Sequence, residues 1–378
     1  MTNARTPQRT RTRNALRAVV SAAATAVMAS AVLSACTSTS SDRPASSPAP
    51  SGPSTFAPLA EGDPAEVVAG LEAPWSIAFI GDTPLVSERD SGRILELDPT
   101  GEAREVGTVP GVRHGGEGGL LGLAVGEDGL LYVYSTGEDG NRIQRYALTG
   151  EAGALELGQG ETILDGIASA GYHNGGRIAF GPDGMLYAGV GDAGQSSAAQ
   201  DLDSLSGKIL RMDPDGTVPD DNPFPDSLVY SFGHRNVQGL GWAADGTMFA
   251  SEFGQNTWDE LNVIESGGNY GWPEAEGRGG GDDYVDPVQQ WAPADASPSG
   301  ITVVDDTVFI ANLGGEVLRA VPVADPAAAT DYYDGEFGRI RAVCEGPDGD
   351  LWLLTGNTNS QGTPRDGDDR ILSIPLAP

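Results

Sequence analysis

Cysteine is nearly absent: the 378 residues contain two, Cys36 and Cys344. A disulfide framework is therefore excluded within the folded part of the chain. Cys344 lies among apolar positions near a predicted strand and reads as a small core residue. Positive charge is also scarce, with 22 Lys and Arg against 54 Asp and Glu, a formal net charge of −32. Five of those bases (Arg5, Arg9, Arg11, Arg13 and Arg17) precede residue 36, so 17 face 54 acids over the rest. So acidic a surface excludes nucleic acid and an anionic bilayer as main partners. It is compatible with a neutral small molecule or with cations, and it keeps an exported protein soluble. Long helical patterns are few. No glycine-flanked serine elbow occurs, which removes support for covalent acyl chemistry. No dinucleotide fingerprint on a strand, turn and helix occurs, which excludes nicotinamide binding.

What is present begins with an export pattern. Residues 1–36 have a basic start, an alanine-rich apolar run and a small-residue end at Leu33-Ser34-Ala35-Cys36. This reads as a signal peptide rather than a permanent span. Leu33–Cys36 resembles the bacterial lipobox, which implies cleavage before Cys36 and lipid attachment to its thiol. The protein is thus expected outside the cytoplasm, held at the cell membrane only through that lipid. Residues 37–60 are mostly Ser, Thr, Pro and Ala, which cannot bury enough surface to offset chain entropy, and are expected to be a flexible tether.

From residue 61 to 378 the chain repeats a unit of turn, apolar strand, polar or glycine-rich loop and second strand. The apolar anchors Val86, Tyr132, Tyr187, Phe249, Phe309 and Trp352 recur at intervals of 43 to 62 residues. That spacing suits a four-stranded sheet with loops of variable size. Six such antiparallel sheets around an axis make an all-β, six-bladed β-propeller. The N-terminal strand near residues 67–71 is expected to close the ring by completing the last blade. A long β-sandwich is the alternative.

The stretch His173–Gly194 reads as a hairpin: Arg177–Phe180 runs out, Gly181–Gly184 turns, and Met185–Val190 runs back. His173 and Asp192 then emerge at the same end, an imidazole beside a carboxylate that orients it and keeps it basic. All three histidines, His114, His173 and His234, lie in polar or glycine-rich loops of the kind expected on one face. Arg235 and Asn236 follow His234 directly. Arg339 and Arg341 are two apart on a probable strand, so they share a face and suit bidentate carboxylate binding. Asp259, Glu260 and the backbone around Gly254 and Tyr270 offer hard oxygen ligands, better matched to calcium than to zinc.

Together these segments resemble the soluble sugar dehydrogenases that use pyrroloquinoline quinone (PQQ), in particular the bacterial aldose sugar dehydrogenases. The matching pieces are Gly116–Ala124, the His173–Asp192 hairpin, Gly207–Met212, Gly233–Leu240, Glu252–Asn262, Gly267–Pro273 and Phe337–Arg341. The resemblance implies a six-bladed propeller that oxidises an aldose at C1 to the lactone and passes electrons to an external acceptor. It implies that His173 is the general base, Asp192 its supporting carboxylate, and Arg235 a contact to the quinone oxygens. Asn236, Arg339 and Arg341 are implied as further cofactor contacts, and Glu117 as the polar residue facing the sugar. The carbonyls of Gly254 and Gln255 are implied to hold a PQQ-bound calcium, and Glu260 with the Tyr270 carbonyl a second, structural one. Asn312–Val317 has glycines where glucose-oxidising relatives carry a cofactor-binding lysine, and the loop after Asp192 lacks polar groups that some relatives place near the quinone. Competing readings are a metal-dependent lactonase-type hydrolase, which needs Glu, Asn and Asp ligands at the axis, and a non-catalytic binding propeller.

Overall fold

The computed structural model describes residues 58–377 except positions 61 and 99. Cys36, the export segment and most of the expected tether lie outside the described residues. Pro58–Ala60 lie inside them, and they already belong to the propeller. Leu59 bridges Leu376, and the Ala60 N–H donates to the Pro375 carbonyl at 3.0 Å. The boundary drawn at residue 60 therefore falls slightly late.

The described strands form six antiparallel sheets of four. Blade one holds Pro74–Ile80, Thr83–Glu88, Arg93–Leu97 and Ala103–Thr108. Blade two holds Leu120–Val125, Leu131–Thr136, Asn141–Thr149 and Glu156–Ile167. Blade three holds Ile178–Phe180, Leu186–Val190, Lys208–Met212 and Val229–Phe232. Blade four holds Val237–Trp242, Met248–Glu252, Asp259–Val263 and Gln289–Trp291. Blade five holds Pro298–Val304, Thr307–Asn312, Leu318–Pro322 and Thr330–Tyr332. Blade six holds Ile340–Glu345, Leu351–Thr355, Ile371–Ile374 and, closing the ring, Ala65–Val68. Ala65 pairs with Ser373 and Val68 with Ile371, so a strand from one end of the domain completes the sheet begun at the other. The first strands of successive blades contact one another all the way round, blade six against blade one included.

The six anchors each fall on the second strand of a blade and are buried. Their side chains fill the wedges between blades. Leu85 and Ile94 of blade one meet Leu120 and Val133 of blade two, and Phe309 of blade five meets Leu353 of blade six. Each such side chain contributes about 1.5–3 kcal/mol by leaving water, and only a closed ring buries both sides of every sheet.

Local turn chemistry sorts the loops onto two faces. In Pro182-Asp183-Gly184 the Asp183 carboxylate accepts the Met185 N–H and the Tyr187 hydroxyl, while Gly184 takes the left-handed φ of 76° that closes the turn. Asp128 does the same for Leu130 and Tyr132. These tight turns join first strands to second strands. The longer loops, from second strands to third strands and from one blade to the next, collect at the other face, where the candidate site residues lie.

Candidate active site

His173 and Asp192 meet as the hairpin geometry requires, with His173 Nδ1 2.7 Å from Asp192 Oδ1. Backbone bonds lace the loops together: Ala193 N–H to the His173 carbonyl at 3.1 Å, and Asp192 N–H to the Arg235 carbonyl at 2.8 Å. A Cβ on Gly191 would sit 2.0 Å from the His173 carbonyl oxygen, so only glycine lets the strands approach this closely. His173 itself holds a left-handed φ of 57°, a conformation costing a non-glycine residue about 1–3 kcal/mol. Its N–H donates to Glu117 Oε2 at 2.7 Å, which helps hold it there.

Asp192 is buried, with 1% of its surface exposed. Burial pushes its carboxyl up, but bonds from His173, the Gly194 N–H and the Trp272 indole N–H outweigh it and hold the carboxyl below its usual range. An ionised carboxylate only accepts, so Nδ1 carries the hydrogen, and the neutral form of the ring then has its lone pair on Nε2. His173 borders a pocket of about 410 Å³ together with Tyr172, Arg235, Gln255 and Trp272. This is the arrangement of a general base with its proton-accepting atom free. Trp272 was not visible as a site residue in the sequence. It reaches Asp192 from 80 positions away, across 2.9 Å. Tyr172 packs edge-on against the His173 ring with centroids 4.6 Å apart.

Beside the dyad lies an unusual concentration of positive charge. Arg341 is buried, and its Nη1 meets only Gln238 Oε1 and Ser299 Oγ. Arg339 lies one residue before the strand that carries Arg341, and a register shift intervenes, so the two do not share a simple strand face. Arg339 donates to the Leu313 carbonyl and to Gln361, and Arg235 to the Phe253 and Gly254 carbonyls. Arg177, which sequence reasoning missed, bonds the Gln238 carbonyl and Ser76 and lies 4.2 Å above the Trp75 ring. Its one available signal was its place at the start of the hairpin strand, directly after Gly175 and Gly176. Arg89, also missed, ends up near Arg341 and pairs with Asp90 at 2.6 Å. Among the described residues Arg177, Arg235, Arg339 and Arg341 have no carboxylate partner, in a chain with 54 acids. Burial, then Arg339, Arg89 and Arg177, push Arg341 down to about 9, and burial pushes Arg177 down to about 10. Buried donors at Arg177 Nη2, Arg235 Nε, Arg339 Nε and Asn236 Nδ2 have no partner. Unmet donors of this kind call for a ligand bearing several anionic oxygens.

The hard-oxygen candidates separate into two places. Gln255 borders the pocket, whereas the Gly254 carbonyl accepts from Arg235 Nη1. Glu260 and Tyr270 are buried away from the pocket. Burial, then the neighbouring Glu252 carboxylate, raise the Glu260 carboxyl, a strain that a cation would relieve. Two histidines leave the site. His234 is fully buried, bonded to Ser231 and Glu252 and stacked on Tyr270 at 4.5 Å, because its loop turns the ring inward. His114 is exposed and pairs with Asp90. Cys344 is a half-buried free thiol that burial pushes up to about 12, as a core residue. Near the axis Arg177 and Arg341 lie over the Trp75 ring, so the Glu117, Asn174 and Gln238 side chains of that cleft share it with guanidinium groups, which disfavours the lactonase-type metal site.

The chain is similar to several known proteins. A family model described as "Glucose / Sorbosone dehydrogenase" matches residues 71–363. The solved structure of the PQQ-bound form of an aldose sugar dehydrogenase from Streptomyces coelicolor is 49% identical, covers 85% of this chain and 100% of its own, and superposes with a TM-score of 0.80. The aldose sugar dehydrogenase YliI of Escherichia coli is 28% identical over 77% of this chain and 89% of its own length. Quinoprotein glucose dehydrogenase B of Acinetobacter calcoaceticus is 32% identical over 60% of this chain and 56% of its own. With a match spanning most of the propeller, the chain belongs to the glucose/sorbosone dehydrogenase family.

Proposed function

We propose that the protein is a PQQ-dependent aldose sugar dehydrogenase that oxidises the C1 hydroxyl of a sugar to the lactone. The observation that carries this reading is the set of four arginines without carboxylate partners, Arg177 and Arg341 buried and Arg235 and Arg339 half-buried, set beside a His–Asp dyad at an open pocket. PQQ bears three carboxylates and two quinone oxygens, and when bound it supplies the two-electron acceptor that sugar oxidation requires. Arg339, Arg341, Arg177 and Asn236 would hold its carboxylates and ring oxygens, and Arg235 would stabilise negative charge as it develops there.

The remaining chemistry belongs to this chain. His173 Nε2 takes the C1 hydroxyl proton, and the ionised Asp192 stabilises the imidazolium so formed. The Trp272 and Gly194 N–H groups keep Asp192 from rotating away. Glu117 fixes the His173 backbone and borders the cleft beside Arg341, which suits a polar contact to the sugar. The Gln255 carbonyl would serve a calcium at the cofactor, with the Gly254 carbonyl shared between that calcium and Arg235 Nη1, and Glu260 with the Tyr270 carbonyl would serve a second calcium. Electrons then leave to an external acceptor. Export with a lipid on Cys36 would place the enzyme outside the cytoplasm at the membrane.

The direct check is equilibrium binding of PQQ to the cofactor-free protein, with and without calcium, followed by intrinsic fluorescence. Saturable binding that weakens with added salt is expected, since the contacts are ionic. Absence of binding in both conditions would overturn the reading.

A further inference from the structure

One carboxylate outside the dyad makes an unusual set of contacts. Glu276 sits in the long excursion between the third and fourth strands of blade four. Its Oε1 accepts four consecutive backbone N–H groups: Gln255 at 2.7 Å, Asn256 at 3.1 Å, Thr257 at 3.0 Å and Trp258 at 3.1 Å. The turn these amides form is itself tight, since a Cβ on Gly254 would fall 1.6 Å from the Trp258 carbonyl oxygen. The next residue, Gly277, is tied down in turn by its N–H to Glu260 Oε1 at 2.7 Å.

With the amides of 255–258 gathered onto one oxygen, the start of the loop presents carbonyls to the site instead. Those of Phe253 and Gly254 receive Arg235 Nη1. Arg235 has no carboxylate of its own, so these two carbonyls and the Trp272 ring, 5.4 Å from the guanidinium carbon, set where its charge sits. Residues 255–257 are exposed and pack against no core cluster, so the propeller does not depend on their shape.

We propose that Glu276 is a positioning residue: it shapes the 254–258 loop so that the Phe253 and Gly254 carbonyls aim Arg235 at the bound cofactor. Its link to PQQ rests on the function proposed above, whereas its hold on the loop and on Arg235 does not.

The test uses the cofactor-free protein first. Amide hydrogen exchange across 255–258 and the Arg235 Nε–H resonance are compared in wild type, Glu276→Ala, Glu276→Gln and the exposed neighbour Glu274→Ala. Glu276→Ala is expected to lose protection at these amides by about tenfold or more and to shift the Arg235 resonance. Glu276→Gln keeps an oxygen acceptor and recovers part of both, and Glu274→Ala changes neither. PQQ affinity is then expected to weaken by about tenfold in Glu276→Ala, and by less when Arg235 is already Lys. Unchanged protection, or lost protection with an unmoved Arg235 resonance, overturns the proposal. Failure of wild type to bind PQQ would instead overturn the functional reading, leaving the cofactor-free measurements to decide the role of Glu276.

Discussion

Asp192→Asn is the substitution whose consequence can be worked through most fully. The carboxylate accepts three donors: His173 Nδ1–H at 2.7 Å, Gly194 N–H at 2.8 Å and Trp272 Nε1–H at 2.9 Å. The first two meet Oδ1 and the third meets Oδ2, so the NH2 of an asparagine of the same shape must face either the His173 and Gly194 donors together or the Trp272 donor. If the NH2 faces His173, the ring moves its hydrogen to Nε2 and loses the lone pair that takes the sugar proton. If it faces Trp272, the base survives, but the developing imidazolium meets a neutral amide. A hydrogen bond to a charged group is worth about 1.5–3 kcal/mol, and 1.4 kcal/mol is a factor of ten. The turnover number should therefore fall by roughly 10- to 150-fold, more if the wrong tautomer dominates. The assay is dye reduction at saturating aldose and PQQ, with PQQ affinity measured separately. Affinity should hold, because the arginines are untouched. A turnover number within about twofold of wild type would refute the assigned role of Asp192.

Arg341→Met removes a buried charge without a carboxylate partner; PQQ binding should weaken by at least about tenfold, while the cofactor-free protein melts no lower than wild type. Both are read by fluorescence titration and calorimetry. Asp192 also predicts an acid effect. Its folded carboxyl lies below its unfolded range, so the unfolded state binds more protons on acidification. The stability it contributes is complete above the ordinary carboxylate range near about 3.9 and is lost as pH falls through the folded value. The stability gap between wild type and Asp192→Asn, from denaturant melts, should shrink as pH drops below about 4. Calcium at about 100 times its dissociation constant should add about 2.7 kcal/mol to stability, and Glu260→Gln should abolish most of that gain. Equal gains in both proteins would remove Glu260 from the calcium site.

The six blades were legible because each repeats the same local physics: a tight turn rich in Asp and Gly (Asp-Gly in blades two, three, four and six), a buried aromatic or aliphatic anchor, and a closing strand. The His173–Asp192 contact was legible for the same reason, since one hairpin of equal arms fixes both ends. His234 misled because its neighbours read as a polar loop, while the backbone turns its ring inward against Glu252 and Tyr270. Trp272 and Arg89 were illegible because they reach the site from other blades, and Arg177 because its side chain leaves its own hairpin for Gln238, Ser76 and Trp75; no local period encodes either. Glu276 lies in an acidic, irregular stretch that reads as hydrated loop, and only the folded chain brings it to the amides of 255–258. The end of the tether was set by composition, which does not reveal that Leu59 pairs with Leu376.

The central claim is that this propeller oxidises aldoses with His173 as base and PQQ as cofactor. The measurement that tests it most directly is dye reduction by the purified domain across a panel of aldoses, with PQQ and calcium added or withheld, beside His173→Ala. Turnover that requires PQQ and falls by about 10²–10⁴-fold in His173→Ala, with PQQ still bound, is the predicted result. Turnover of similar size in His173→Ala, or none from PQQ-loaded wild type with any aldose, would contradict it.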